Sequence, residues 1–435
     1  MKYDVIVIGS GFGGLACAHL LSQAGRSVLV LEQHWQPGGC LQSYQRHGNS
    51  FDTGLHYVGG LDEGQSLHDI FQRLGLLHLP WHRLDAEGFD LITLQGRTFR
   101  LAEGFDHFVD TLAADFPHER QALQRYVEML QGADPEPSVN AWQWLNENFS
   151  DPLLIDVVSG SCLKTELRRE SLPLLAFAHS QKSYIQSSYR LQGDSGLLVR
   201  SLTDDIRRMG GEVVCRTKVV ELTEHNGVLR AARCSNGETY EADCFISDIH
   251  PAQTFALIPE SKALKPIFRR RMSMLENTYG MYTHSLVLKP HTLPYFNHNK
   301  YVYQGGSVWD EATQKVMLSC RVPADAGDYD YATLLDVLTP QAADPMPLAE
   351  SVIPGLRSMV SETYVSSPHT WQHFTGTPGG SAYGVRKDCR QPLQTMLSPR
   401  TPISNLLLTG QNVMLHGLEG VAMTAQQTVQ LILNN

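Results

Sequence analysis

The stretch YDVIVIGSGFGGLACAHLLSQAGRSVLVLEQ, residues Tyr3 to Gln33, decides the fold. An apolar β-branched run from Val5 to Ile8 is followed by a glycine cluster, a helix-forming stretch and a second β-branched run ending at Glu32. That order predicts strand, turn, helix and strand. Gly9, Gly11 and Gly14 fit GxGxxG: the first permits the tight turn, the second lets a pyrophosphate approach the backbone, and the third lets helix and strand pack closely. The phosphates would sit at the amino end of the helix, where unpaired N–H groups and the helix dipole favour an anion by ~0.3 to 2 kcal/mol. Glu32 lies about 20 residues beyond the glycines, where a carboxylate accepts bonds from an adenosine ribose and repels a phosphate on it. A dinucleotide, FAD or NAD, is the expected ligand.

The remainder of the chain must house the rest of such a protein. Its 435 residues, 42% of them apolar, are too many for one ordinary core and enough for two. A net charge of -10 argues against a nucleic-acid partner, which would require phosphate neutralisation. Eight cysteines are scattered without a CxxC or a close Cys/His pairing, so neither a disulfide framework nor a metal site is expected. The glycines interrupt the amino-terminal apolar run, which reads as a strand rather than a signal, and no stretch nears the ~20 apolar residues of a spanning helix. The default address is the cytoplasm.

Immediately after Glu32, QHWQPGGCLQSYQRHGNSFDTGLHYVGG carries a second glycine pair, Gly38 and Gly39. A lone NAD domain has no use for it, whereas a flavin cofactor continues past its pyrophosphate to a wide ring and needs more backbone to come close. GSGFGGLACAHLL, LEQHWQPGGC and FDTGLHYVGG resemble the FAD-binding motifs of the phytoene desaturase superfamily, above all its retinol saturase and carotenoid isomerase branches. EVVCRTKVVEL, CFISDIHP, SSPHTWQHFTGTPGGSAYG and LLLTGQNVMLHGLEGVAMT extend the resemblance; residues 100 to 185 and 285 to 365 match loosely. It implies an α/β chain: a Rossmann-type FAD-binding domain, GR2-like, with a discontinuous α+β substrate domain.

The resemblance also implies where FAD is held. The first turn would contribute Gly9, Ser10, Gly11, Phe12, Gly13 and Gly14, followed by Glu32 and Gln33, then Gly38, Gly39, Cys40 and Leu41. Val219 would lie against the adenine, Gly410 and Gln411 near the ribityl and phosphate groups, and Gly420, Val421 and Ala422 would offer N–H groups to the flavin ring. Such donors stabilise negative charge on the reduced ring. Many relatives carry a carboxylate after the glycine, where this chain has Gln411 and Asn412; an amide oxygen still accepts a ribityl hydroxyl. Cys40 reads as packing or cofactor contact, with no resolving cysteine near it in sequence.

Organisation follows from these blocks. Residues 1–88, 190–265 and 400–435 are expected to form the FAD domain, and 89–189 with 266–399 the substrate domain. The middle piece predicts an amphipathic helix stopped by Gly210 and Gly211, then strands over Val213–Leu222, Val228–Cys234 and Tyr240–Ile246 with hairpin turns HNG and SNG. YTHSLVLK and KVMLSCRV read as strands, FDHFVDTLAADF and ERQALQRYVEML as helices, and GTPGGSAYG as a lining loop. Only one GxGxxG opens a helix, so a dedicated NAD(P)H domain is absent and an external electron donor or acceptor is required.

Over the flavin, hydride transfer with proton movement is expected, and the candidate catalytic groups are His56, Tyr57, His416 and Glu419. A histidine of ordinary pKa titrates near neutrality and serves as acid or base. The resemblance implies an apolar isoprenoid or polyene substrate, undergoing desaturation, saturation or isomerisation. Two alternatives stand beside it: a flavin amine or porphyrinogen oxidase, and a non-catalytic lipid carrier of the Rab GDP-dissociation inhibitor type, against which Glu32, Gly38, Gly39 and Gly420 speak. IFRRRMSML, with Arg269, Arg270 and Arg271, reads first as a solvated helix face and second as a peripheral membrane contact.

Overall fold

The computed structural model describes residues 2–322 and 330–434. The opening run forms a strand, Lys2–Ile8, between Val28–Leu31 and Thr239–Ser247, parallel to both. Its alternation divides two cores. Val5 and Val7 face a helical layer with Leu15 of Phe12–Gln23, Leu202 of Gly196–Arg208 and Ala425 of Gly417–Leu433. Ile6 and Ile8 face the opposite layer with Phe245, Phe255 and Leu408. Both faces are covered, so the central strand is apolar almost throughout.

The return of the chain's end to its beginning has a simple topological cause. Thr239–Ser247 is nine residues long, and its first part pairs antiparallel with Val228–Cys234. Beyond that hairpin the same edge is open from Phe245 to Ser247, and Leu406–Leu408 fills it in parallel register. The seven-stranded sheet thus gathers strands from residues 2–31, 212–247 and 406–408.

The expected single strand over Val213–Leu222 is two. Glu212–Val214 pairs with Val28–Leu31, and Val219–His225 pairs with Val228–Cys234 at the far side of the sheet. Between them Arg216 takes φ +57°, and the N–H groups of Arg216 and Thr217 donate to the carbonyls of His34 and Glu32, both at 2.7 Å. Those bonds peel the chain off the sheet edge and draw residues 217–219 toward the glycine turn.

A second seven-stranded sheet joins Val360–Ser366, Tyr282–Leu288, Leu334–Thr339, Gln314–Cys320, Asn299–Gln304, Asp90–Leu94 and Arg97–Leu101, in that order. Its pairs are antiparallel except Asn299–Gln304 with Asp90–Leu94. One face packs on Phe105–Asp115, Arg120–Gln131 and Leu174–Gln186. The helix Leu174–Gln186 comes so near Gly59 that an added Cβ there would lie 2.3 Å from the carbonyl carbon of Ser183. That close approach sets His56 and Tyr57, a few residues earlier, against the second sheet, near Asp336 and Asp90.

Candidate functional site

Three glycine segments meet where the sheet's strands end. Gly9 turns the chain at φ +93°, its N–H donating to the carbonyl of Leu31 at 2.9 Å. A Cβ on Gly14 would lie 2.3 Å from the Gly9 carbonyl, so this glycine serves helix–strand packing. Gly38 donates to the Ser10 carbonyl at 3.0 Å, and a Cβ on Gly39 would lie 3.0 Å from the Gly11 Cα. On the third side a Cβ on Gly13 would come 2.8 Å from the Gly410 Cα. Glu32 is buried at the end of its strand; the Ser10 N–H donates to its Oε2 at 3.1 Å and the His34 N–H to its Oε1 at 2.8 Å. The Ser10 hydroxyl also donates to Oε2, and Glu32 lines the space beyond.

That space is a cavity of about 720 Å³ running from the glycine turn to the second sheet, where Met317 and Leu338 line it. Its walls contain Gly9, Ser10, Gly11, Phe12 and Gly13; Glu32, Gln33, Gly39, Cys40 and Leu41; Val219, Gly410, Gln411, Gly420 and Val421; and His56, Tyr57, His416 and Glu419. Gly14, Gly38 and Ala422 lie behind the wall. Sequence reasoning missed Asp248, Lys164, Tyr184, Tyr383 and Trp371, all of which line it. Asp248 sits in the quoted CFISDIHP block and Trp371 and Tyr383 in SSPHTWQHFTGTPGGSAYG; Lys164 and Tyr184 carry no local signal.

The closing helix opens earlier than expected. It runs Gly417–Leu433, so its unpaired amino-terminal N–H groups belong to His416, Gly417, Leu418 and Glu419, and those of Val421 and Ala422 are already in the helical ladder. Gly420 is required by packing, since a Cβ there would lie 2.6 Å from that of Leu415.

Over the ring end the wall is built of buried side chains. The Tyr57 hydroxyl donates to Asp90 Oδ2 at 2.8 Å and shares a 2.7 Å hydrogen bond with Tyr301; Asn299 donates to Asp90 Oδ1 at 2.8 Å. The Lys164 ammonium lies 3.6 Å from Asp90 Oδ2 and 3.7 Å from the centre of the Tyr184 ring. Burial raises the Asp90 carboxyl, against the opposing effects of Lys164, Asn299 and Tyr57, and holds the Tyr57 phenol well above its ordinary value.

The two histidines do not titrate near neutrality here. Burial pushes His56 down to about 4, with its Nδ1 3.9 Å from Asp336 Oδ2. His416 is likewise lowered to about 4 by burial; its Nε2–H donates to the Lys164 carbonyl at 2.9 Å. Both are neutral hydrogen-bonding groups at pH 7. Glu419, in the first turn of the closing helix, is the one carboxylate of the cavity wall, among the described residues, that lies at this end; Glu32 and Asp248 are at the other.

These residues fit FAD. The cavity wall is bare backbone at Gly9, Gly11, Gly13, Gly39 and Gly410, where a pyrophosphate could come close, and it carries the Glu32 carboxylate beside them. The buried Trp371 Nε1 lines the cavity without a hydrogen-bond partner, as a wall awaiting a polar ligand would leave it. Cys40, held up at about 12 by burial, is a neutral thiol in contact with this space.

Fold and site define an FAD-dependent oxidoreductase of Rossmann type. Residues 7–74 match the model of the NAD(P)-binding Rossmann-like domain. The chain is 26% identical to all-trans-retinol 13,14-reductase of Rattus norvegicus, over 96% of its own length and 84% of the relative's. It is 22% identical to the chloroplastic prolycopene isomerase of Daucus carota, over 94% and 76%. An oxidoreductase from Methanosarcina mazei superposes with TM-score 0.70 at 17% identity, covering 98% of this chain and 100% of that one. Putrescine oxidase gives 0.68 at 16%, covering both chains fully. These likenesses support the retinol saturase and carotenoid isomerase superfamily of FAD-dependent oxidoreductases.

Proposed function

We propose that the chain acts on carbon–carbon bonds of an apolar polyene or isoprenoid, by saturation, desaturation or isomerisation. The observation that carries this is the continuity of the cavity: beyond the glycine cradle it passes between Leu163, Ala176, Met281, Met317, Leu338 and Leu415. Such a wall takes up an apolar chain at about 0.8 kcal/mol per methylene, with no polar recognition. The retinol reductases and prolycopene isomerases to which the chain is similar carry names of that substrate class.

FAD, when bound, supplies a two-electron carrier for hydride transfer. The apolar wall holds the substrate and excludes water, and Glu419 carries the proton to or from the neighbouring carbon. His56, His416 and Tyr57 position it: the histidines are neutral, and the Tyr57 hydroxyl is tied to Asp90 and Tyr301. Glu419→Gln should keep the yellow cofactor and lose about 100-fold or more in turnover. Anaerobic incubation of reduced and oxidised holoprotein with retinoids and carotenoids, followed by chromatography and mass analysis, tests the reading; no converted polyene under either condition would sink it.

An amine oxidase needs an aromatic and anionic receptor for a cation, and the one found here is filled by the chain's own Lys164, on Tyr184 and beside Asp90. For the helix Pro266–Ser273, peripheral contact with an anionic bilayer is the second reading, favoured by Ile267 and Met274 at 72% and 66% exposure on either side of exposed Arg270 and Arg271. Arg269 takes no part, since it donates inward to the carbonyls of Phe255 and Ile258. Co-sedimentation with anionic but not neutral vesicles would support it. Among the described residues no helix is long and apolar enough to cross a membrane.

A further inference from the structure

Five glycines surround one acid. A Cβ on Gly11, Gly13 or Gly410 would lie 2.5, 2.7 or 2.2 Å from a carboxyl oxygen of Asp248, and one on Gly9 or Gly14 within 3.6 Å of its side chain. Asp248 follows the strand Thr239–Ser247, and its carboxyl accepts the N–H groups of Gly11 and Gly14. The helix Phe12–Gln23 has four unpaired amino-terminal N–H groups, those of Gly11, Phe12, Gly13 and Gly14. Asp248 thus uses two of the four and leaves Phe12 and Gly13 for an arriving anion. It is a capping carboxylate supplied from elsewhere in the chain, set where a diphosphate must lie.

The groups around it provide no counter-charge. Glu32, across the turn, adds a negative charge. Cys17, on the helix, and Cys40, after the second glycine pair, are thiols held up at about 12 by burial. His250, two residues on, is lowered by burial, bonded to Asn277 at 3.0 Å and caps the Ala252 N–H. Among the described residues the cavity wall carries two lysines, Lys164 at the ring end and the exposed Lys218, and no arginine.

We propose that Asp248 takes up one proton from solvent when the diphosphate of FAD settles on the glycine turn, so that FAD binds more weakly as the pH rises through neutrality. The proton settles on one carboxyl oxygen, removing the charge and creating an O–H donor, while the other oxygen still accepts from the glycine N–H groups. Burial and Glu32 already hold the free carboxyl at about 7. Anion binding raises it further, so proton uptake is greatest on the alkaline side.

The inference rests on the FAD assignment of the site. Calorimetric titration of the full chain with FAD between about pH 6 and pH 9, in buffers of differing ionisation enthalpy, counts the protons exchanged. The expected result is uptake approaching one proton above neutrality, with the dissociation constant rising about tenfold per pH unit there. Asp248→Asn should abolish that uptake and bind FAD more tightly than the natural chain at the alkaline end. Retention of the uptake in Asp248→Asn overturns the proposal, as does FAD binding by the natural chain without proton exchange, a result that needs no variant. A chain that binds no FAD at any pH sinks the flavin assignment, and this inference with it.

Discussion

At the glycine end of the cavity the wall is mostly backbone, that of Gly9, Gly11, Gly13, Gly39 and Gly410, with the Asp248 carboxyl set among the glycines and Glu32 beside them. At the ring end it presents buried side chains, Lys164, Tyr57, Tyr184 and Glu419, with Asp90 and Tyr301 behind them. The first end works by steric permission around one capping carboxyl, the second by a packed network of charged and phenolic side chains. Damage to the first should therefore cost ligand, and damage to the second should cost stability or turnover.

The sharpest test of that division is Gly14→Ala. Its Cβ would meet the Gly9 carbonyl at 2.3 Å, so the turn must open by a shift costing about 1–3 kcal/mol. Bound FAD should fall by at least about tenfold in visible absorbance per chain, while the second sheet keeps its fold. Asp90→Ala should do the reverse. It strands Lys164 and Tyr57 without their buried acceptor, a loss of about 3–5 kcal/mol in denaturant unfolding, with FAD still bound. Adding Lys164→Met should recover most of that loss, because no uncompensated charge remains. If Asp90→Ala instead loses FAD at unchanged stability, the two ends are not separable.

A smaller effect concerns pH. His56 and His416 are depressed to about 4 in the folded chain against 6.5 as the ordinary value. The unfolded chain therefore binds more protons between those limits, and their contribution to stability is complete above about 6.5 and lost as the pH falls toward 4. Each contributes a slope of at most about 1.4 kcal/mol per pH unit in that window. Buried Asp52, Asp90 and Asp336, whose carboxyls are raised, act in the opposite sense. The difference in slope between the natural chain and His416→Asn, read from urea midpoints, isolates one histidine and should approach one proton. Smallest of all, Tyr57→Phe should cost about 1 kcal/mol of stability, because Asp90 keeps Asn299 and Lys164.

The two ends also differ in how readable they were. The glycine cradle announces itself because each glycine answers a local demand, a positive φ at Gly9 or a close approach at Gly14, and local demands leave a spacing in the sequence. Glu32 was legible for the same reason, being the residue that follows the short strand Val28–Leu31. The ring end was read only in part: His56, Tyr57, His416 and Glu419 ride on glycine-flanked motifs, but Lys164 and Tyr184 come from a region with no motif at all. The protonation states of the histidines were misjudged because nothing in LHYVG or MLHGL tells how much apolar chain from elsewhere will bury them. The closing helix was placed three residues late because Gly420, required against Leu415, looks in sequence like a ligand-facing glycine.

The sequence by itself determined the strand, turn and helix at the start, the acid that follows the second strand, and the hairpins of the middle piece. These rest on period-two alternation and backbone sterics, which act over a few residues. Only the tertiary structure decided that Asp248 would cap the first helix from more than 200 residues away, and that Lys164 would meet Asp90 over a tyrosine ring. Burial and counter-charge are properties of what surrounds a side chain in space, and that surrounding is assembled from segments whose spacing along the chain carries no record of it.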